Sequence, residues 1–311
     1  MSFTCDAASP LQFNRKDIWH IAKCSYGEVS RDNVSIVAAG VAFFTLLALF
    51  PLISACLSIY GYLADPTSAQ SHLNAVSGLL PEEAWNLINN QVQSVASTSN
   101  SGLELRIICS LILALWAAGA GIRAMMRALN IAYDEQEKRH PIIFYGIGIS
   151  LTLLMMLFVS ASLVVIVGLP TVLNFLKLDE ISGGLTKWLP WGLLLSIFTL
   201  MTTVLYRYGP SRRPAKIRWV LPGVIFATIA WLLISVGFSY FVSAFSTYNA
   251  TYGSLSAVII LLIWLWLTAF AVIMGAEING EMERHTCVDT TRGPERPIGE
   301  RGAAMADYQH I

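Results

Sequence analysis

An all-α integral membrane protein, with six transmembrane helices, both termini in the cytoplasm and a helical outer-face connection between helices 1 and 2, is the fold class this sequence predicts. Three observations carry it. The 311 residues are 55% hydrophobic and only 13% charged, against roughly 25% charged in a soluble domain. Apolar runs recur at the length of about 20 residues that one bilayer crossing needs. The basic residues alternate from one connecting segment to the next.

Taken in order, residues 1–33 form a polar N-terminal segment with no visible cleavable signal peptide. Within it, residues 15–29 place Ile18, Ala22, Ser25 and Val29 along one helical face, with Trp19 and Tyr26 beside it and Arg15, Lys16 and Lys23 for headgroups. That pattern predicts an interfacial helix. The membrane domain spans 34–285, with spans at about 34–63, 105–122, 142–169, 188–206, 219–245 and 254–276. Pro51 predicts a kink near Leu47 in the first span. The 64–106 connection contains Pro81, Glu82 and Glu83, then Trp85, Ile88, Val92 and Val95 at helical spacing, so it predicts short helices on the outer face. Residues 286–311 lack apolar periodicity and are predicted to be a disordered tail.

Orientation follows from charge. The N-terminal segment, the second and fourth connections and the segment after residue 276 hold seventeen Lys and Arg, whereas the intervening connections hold three. The positive-inside rule puts both termini in the cytoplasm.

No catalytic constellation is visible. The histidines His20, His72, His140, His285 and His310 fall in separate segments, none of the five cysteines shows metal-ligand spacing, and no disulfide framework is suggested. No metal and no cofactor are expected. Gathered carboxylates or a histidine acid–base set, which nuclease work needs, do not occur among the spans.

The informative stretch is residues 116–139. The apolar part of span two, Ile107 to Ile122, has 16 residues, or about 24 Å of helix, short of the roughly 30 Å hydrocarbon core. Arg123, Arg127, Asn130 and Asp134 then follow at i, i+4, i+7 and i+11, on one helical face. Either both arginines snorkel to headgroups, or they face the bundle interior, where Gly119 and Gly121 allow close helix approach. Inside, their guanidinium forks suit a phosphate. Glu277 and Asn279, at the end of span six, lie at matching depth and offer a carboxylate partner and an amide.

Several motifs also carry a resemblance. Residues 38–52 (AAGVAFFTLLALFPL), 128–133 (ALNIAY), Tyr206 and Arg207 with KIRWVLPG at 216–223 and Trp231, and YGSLSAVIILLIWLWL at 252–267 with GAEIN at 275–279 occur in order over residues 30–285. In these the chain resembles the YihY/BrkB family of bacterial inner-membrane proteins. The resemblance implies a six-helix, multi-pass protein of the bacterial cell inner membrane, N-in and C-in. Members carry the labels ribonuclease BN, virulence factor, and transporter or lipid-export component, so fold is implied more firmly than activity.

The expectation is a non-enzymatic transporter or flippase-like protein for an anionic lipid or other anionic solute. Its substrate-binding residues would be Arg123, Arg127, Asn130, Glu277 and Asn279, its partners anionic membrane lipids, and nucleic acid would not be bound. The alternative is a non-transporting scaffold or interaction protein of the cell envelope; a membrane-embedded enzyme ranks last, with ribonuclease disfavoured.

Overall fold

The computed structural model describes residues 7–63, 100–163, 165, 185–244 and 254–308. A 3-10 turn at Pro10–Gln12 leads into α1 (Arg15–Arg31), α2 (Val34–Leu63), α3 (Asn100–Ala132), α4 (Pro141–Leu163), α5 (Leu185–Tyr208), α6 (Ile217–Ala244), α7 (Ser254–Arg284) and α8 (Ala304–Asp307). Among the described residues there is no strand, only one isolated bridge between Ala215 and Thr291. A helix covers each expected apolar segment. By length and hydropathy, four helices (α4 to α7) suffice to cross a membrane, and five do if the bent pair α1–α2 counts as one span. Of the outer-face connection expected at 64–106, residues 64–99 lie outside the described residues, and 100–106 already belong to α3.

The long helices close into a ring: α2 packs on α3, α3 on α4, α4 on α5, α5 on α6, α6 on α7, and α7 returns to α2. No more than 28% of any of the four spans is buried within the protein. Leu153, Leu157, Leu233, Val236 and Tyr240 point outward. An apolar surface of that extent is stable only against lipid.

Two glycines set the α6–α7 seam. A Cβ on Gly223 would collide with the Gly275 carbonyl, and one on Gly275 with the Gly223 carbonyl and the Tyr206 hydroxyl. Pro222 lies inside α6, and a helical proline disturbs the backbone hydrogen bonds around it. Asn279 of α7 compensates: its Oδ1 accepts from the Gly223 amide at 2.7 Å and its Nδ2 donates to the Val220 carbonyl at 3.0 Å. Tyr206 of α5 joins the seam by donating to the Val272 carbonyl. Gly223→Ala is therefore expected to cost about 1–3 kcal/mol by overpacking, read as a lower unfolding temperature in detergent.

α1 departs from expectation in its face. Ile21, Ser25 and Glu28 are buried, while Ile18, Trp19, Ala22 and Tyr26 point outward. The inner face packs against α7, so Ser25 turns inward and Ile18 outward, unlike the shared face expected from spacing. The helix begins in a capping box, Asn14 with Asp17. It meets α2 at 64°, and the turn is made at Asn33, whose φ of 50° is left-handed, a region asparagine tolerates. α2 then carries Pro51 within one continuous helix.

The tail expected to be disordered is instead packed from 286 to 308. Lys216 and Arg292 amides donate to the Thr290 and Pro214 carbonyls, locking the tail to the 209–216 loop. The Asp307 carboxylate accepts from the Gly299, Arg301 and Gly302 amides, and Met305 is buried in the main core. Polar side chains bonding to backbone, rather than an apolar face, fix this segment, so periodicity did not reveal it. Cys287 in the same segment is disulfide-bonded, which cysteine spacing had not indicated. The N-terminal segment joins this layer where Thr286 Oγ1 donates to the Ala7 carbonyl. The basic segments thus assemble at one polar end of the bundle.

Candidate functional site

Arg123 is buried although its helix face runs out to the polar end. Side chains on a helix lean toward its N-terminus, which in α3 is away from that end. The guanidinium follows: Nη2 donates to the Trp116 carbonyl at 3.2 Å, seven residues back. The room comes from glycine. A Cβ on Gly119 would stand 2.5 Å from Nη1, and one on Gly148 of α4 would stand 3.0 Å from Arg123 Cγ. The ring of Tyr145 on α4, itself half-exposed, lies 5.0 Å from the guanidinium carbon. No carboxylate pairs with Arg123 among the described residues. The side chain therefore does not snorkel toward the polar end; it occupies a niche between α3 and α4.

The rest of the stripe disperses. Arg127 is exposed and shares the buried Phe144 ring with Arg139, at 5.6 and 5.8 Å. Asn130 is buried and structural: Nδ2 donates to Glu137 Oε2 at 3.0 Å, and Oδ1 accepts from the Ser211 amide at 2.7 Å. Asp134 ends the helix. Its φ is 51°, and the Asp134 and Glu135 amides donate to the Ile131 and Asn130 carbonyls, a Schellman closure. Asn279 likewise serves the α6 seam and reaches the Tyr133 hydroxyl. Thus the expected cluster of Arg123, Arg127, Asn130, Glu277 and Asn279 is not one site. Among the described residues neither arginine pairs with Glu277.

Glu137, which Asn130 holds, also receives a two-pronged contact from Arg139, at 2.7 and 2.8 Å. Partial burial acts to raise its pKa, but the Arg139 and Asn130 hydrogen bonds prevail and hold it at about 2, below the ordinary 4.5. A depressed carboxylate contributes stability that is fully present above the unfolded value and lost as pH falls through the folded one. The unfolding temperature should thus drop between pH 4.5 and about 2, and Glu137→Gln should flatten that part of the profile.

A second set of groups converges where α1, α7 and the end of α3 meet. Arg284 Nη1 donates to Glu281 at 2.9 Å and Glu28 at 3.2 Å, and Nη2 pairs with Asp134. Next to this hub, Glu277 is wholly buried, and among the described residues neither of its carboxyl oxygens has a hydrogen-bond partner. Asp32, Glu28, Asp134 and Glu281 lie near enough to act on it. A bare carboxylate is costly to keep in such a place. Spacing had offered Glu277 and Asp134; Glu28, Glu281 and Arg284 were missed. The signal existed, since Glu277, Glu281 and Arg284 fall at i, i+4 and i+7 on one face of α7, with His285 directly after it.

A nearby pair is closed. Arg212 from the 209–216 loop makes contacts of 2.6 and 2.8 Å with the Glu283 carboxylate over the Tyr133 ring, and Thr290 Oγ1 donates to the same carboxylate. The Glu283 carboxylate thus accepts three hydrogen bonds, which tie the 209–216 loop and the tail to the end of α7.

Comparison with known proteins supplies a family. The Virulence factor BrkB family model matches residues 25–298. The chain is 33% identical over 252 residues to a ribonuclease-like protein, YfkH, of Bacillus subtilis (strain 168), covering 79% of this chain and 89% of that one. It is 25% identical over 278 residues to the UPF0761 membrane protein PSHAa0171 of Pseudoalteromonas translucida (strain TAC 125), covering 87% of each. No solved structure matches. With the model covering most of its length, the multi-pass helical chain belongs to the Virulence factor BrkB family.

Proposed function

We propose that this is a transporter or flippase-like protein that moves an anionic amphiphile across the bacterial inner membrane, with Arg123 recognising the anion and Glu277 coupling movement to a proton or cation. The observation that carries it is the presence in the membrane domain of two buried ionisable groups, one basic and one acidic, that have no ion-pair partner among the described residues. Such groups are costly to keep unless they serve a pathway. The α3–α4 niche of Arg123 lies behind Tyr145, with exposed Arg127 and its Phe144 contact on the same two helices. An anion arriving from the lipid side would meet Arg127 first and Arg123 after Tyr145 moves, which favours a lipid headgroup over a free solute.

This reading includes six spans with both termini cytoplasmic, because the basic segments gather at one end. It is non-enzymatic. The nuclease chemistry that the Bacillus relative's name suggests gathers several free carboxylates, whereas in this layer Glu28, Asp134 and Glu281 are held by Arg284 and Glu277 is left. A scaffold recruiting partners through the tail is disfavoured because residues 286–308 are packed onto the protein. The test is transbilayer movement of a fluorescent anionic phospholipid in proteoliposomes, with and without a pH gradient. Movement that never exceeds protein-free liposomes would remove the reading.

A further inference from the structure

We propose that His20, Cys24 and His285 form a transition-metal site, best suited to Zn2+, that staples α1 to the end of α7. This is independent of the transport reading. His20 and Cys24 stand at i and i+4 on one face of α1, and His285 immediately follows α7. One ligand atom from each lies within 4.8 Å of the others, a spacing that small side-chain rotations close onto a single ion with bonds of about 2.0–2.3 Å. Cys24 Sγ already stands 3.5 Å from His20 Nδ1, and the two imidazoles meet edge to face at 5.4 Å.

The surroundings also fit a metal. His285 Nδ1 stands 2.7 Å from the Glu281 carbonyl. Donating its proton there leaves the ring lone pair on Nε2 for the ion, the tautomer-fixing backbone contact that metal-bound histidines use. A thiolate with two imidazoles selects a borderline or soft cation over Mg2+ or Ca2+. Three protein ligands leave one tetrahedral position for water. Cysteine spacing had suggested no metal site, because the third ligand lies more than 250 residues away in the chain.

The site also touches the acidic hub. Glu281 supplies the carbonyl to His285 and the carboxylate to Arg284, and Glu28, one turn beyond Cys24, pairs with the same Arg284. Bound metal would hold α1 against α7 at the layer containing Glu277.

The test uses the full-length protein in detergent, free of any histidine tag, titrated with Co2+ as a spectroscopic stand-in and then with Zn2+. One equivalent of Co2+ should give tetrahedral d–d bands and a thiolate-to-metal charge-transfer band, displaced by Zn2+. Cys24→Ser, nearly isosteric, should abolish the charge-transfer band and weaken Zn2+ binding about 100-fold, at the upper end of what loss of a supporting contact costs. His20→Ala should weaken binding similarly, and its thermal unfolding reports whether the fold survives. Cys109→Ser should change nothing, since Cys109 is an exposed free thiol far along α3. In unaltered protein, Zn2+ should also protect Cys24 from alkylation while Cys109 still reacts. Absence of a charge-transfer band, its survival in folded Cys24→Ser, or its loss in Cys109→Ser would overturn the proposal.

Discussion

Arg123→Ala should abolish transbilayer movement of anionic lipid, while Arg127→Ala should retain most of it. The two arginines were equivalent by spacing and are unlike in the structure. Arg127 is exposed and lies against the Phe144 ring, so removing it takes away an initial attraction that salt screens. Arg123 is buried between Gly119 and Gly148 with a backbone carbonyl as its hydrogen-bond acceptor. A phosphate entering that niche would gain a charge-assisted hydrogen bond worth about 1.5–3 kcal/mol. Losing it corresponds to roughly 10- to 150-fold weaker binding at 1.4 kcal/mol per decade. Arg123→Lys keeps the charge and loses the fork, so it should fall in between. Arg123→Ala leaves unfilled the niche that the glycines open, so its unfolding temperature should fall, while Arg123→Lys, which refills most of the niche, should stay near the unaltered protein. Retained transport in a folded Arg123→Ala protein would exclude the niche as the anion site.

The niche also marks how far the sequence could be read. Six apolar runs imply six helices because burial in lipid demands it, and each run became one. Four residues on one face of α3 did not imply one site. Four residues turn a helix by 400°, so Arg123 and Arg127 differ by about 40° in direction and about 6 Å in depth. Over that interval the neighbour of α3 changes from Gly148 to Phe144 and then to the 209–216 loop. Charge alternation did foretell that the basic segments share one end. It could not foretell that residues 286–308 are folded by Asp289, Arg301 and Asp307 and tied to the 209–216 loop through Lys216 and Arg292, because such contacts have no period. The layer around Glu277 was hidden for a similar reason. Its acidic neighbours come from α1, the α1–α2 turn and the end of α3 as well as from α7, and only the folded ring brings them together.

Glu277→Gln should leave the fold intact or strengthen it, and should remove the dependence of transport on a pH or cation gradient. The carboxyl group is fully buried and has no hydrogen-bond partner among the described residues, so an amide of the same shape relieves the cost of charge there without leaving a cavity. A group of purely structural value would behave oppositely, since losing one member of a needed ion pair costs about 3–5 kcal/mol. Thermal unfolding therefore separates the two roles before any transport is measured. Glu277→Asp provides the second comparison: it keeps a titratable carboxylate but withdraws it by one methylene, and should retain gradient dependence at reduced rate. Glu281→Gln should instead destabilise, because it takes a partner from Arg284. A coupled transporter then requires a specific pattern across three substitutions: gradient dependence lost in Glu277→Gln with stability kept, dependence retained in Glu277→Asp, and stability lost in Glu281→Gln. If Glu277→Gln responds to an imposed gradient as the unaltered protein does, coupling through this carboxylate is excluded.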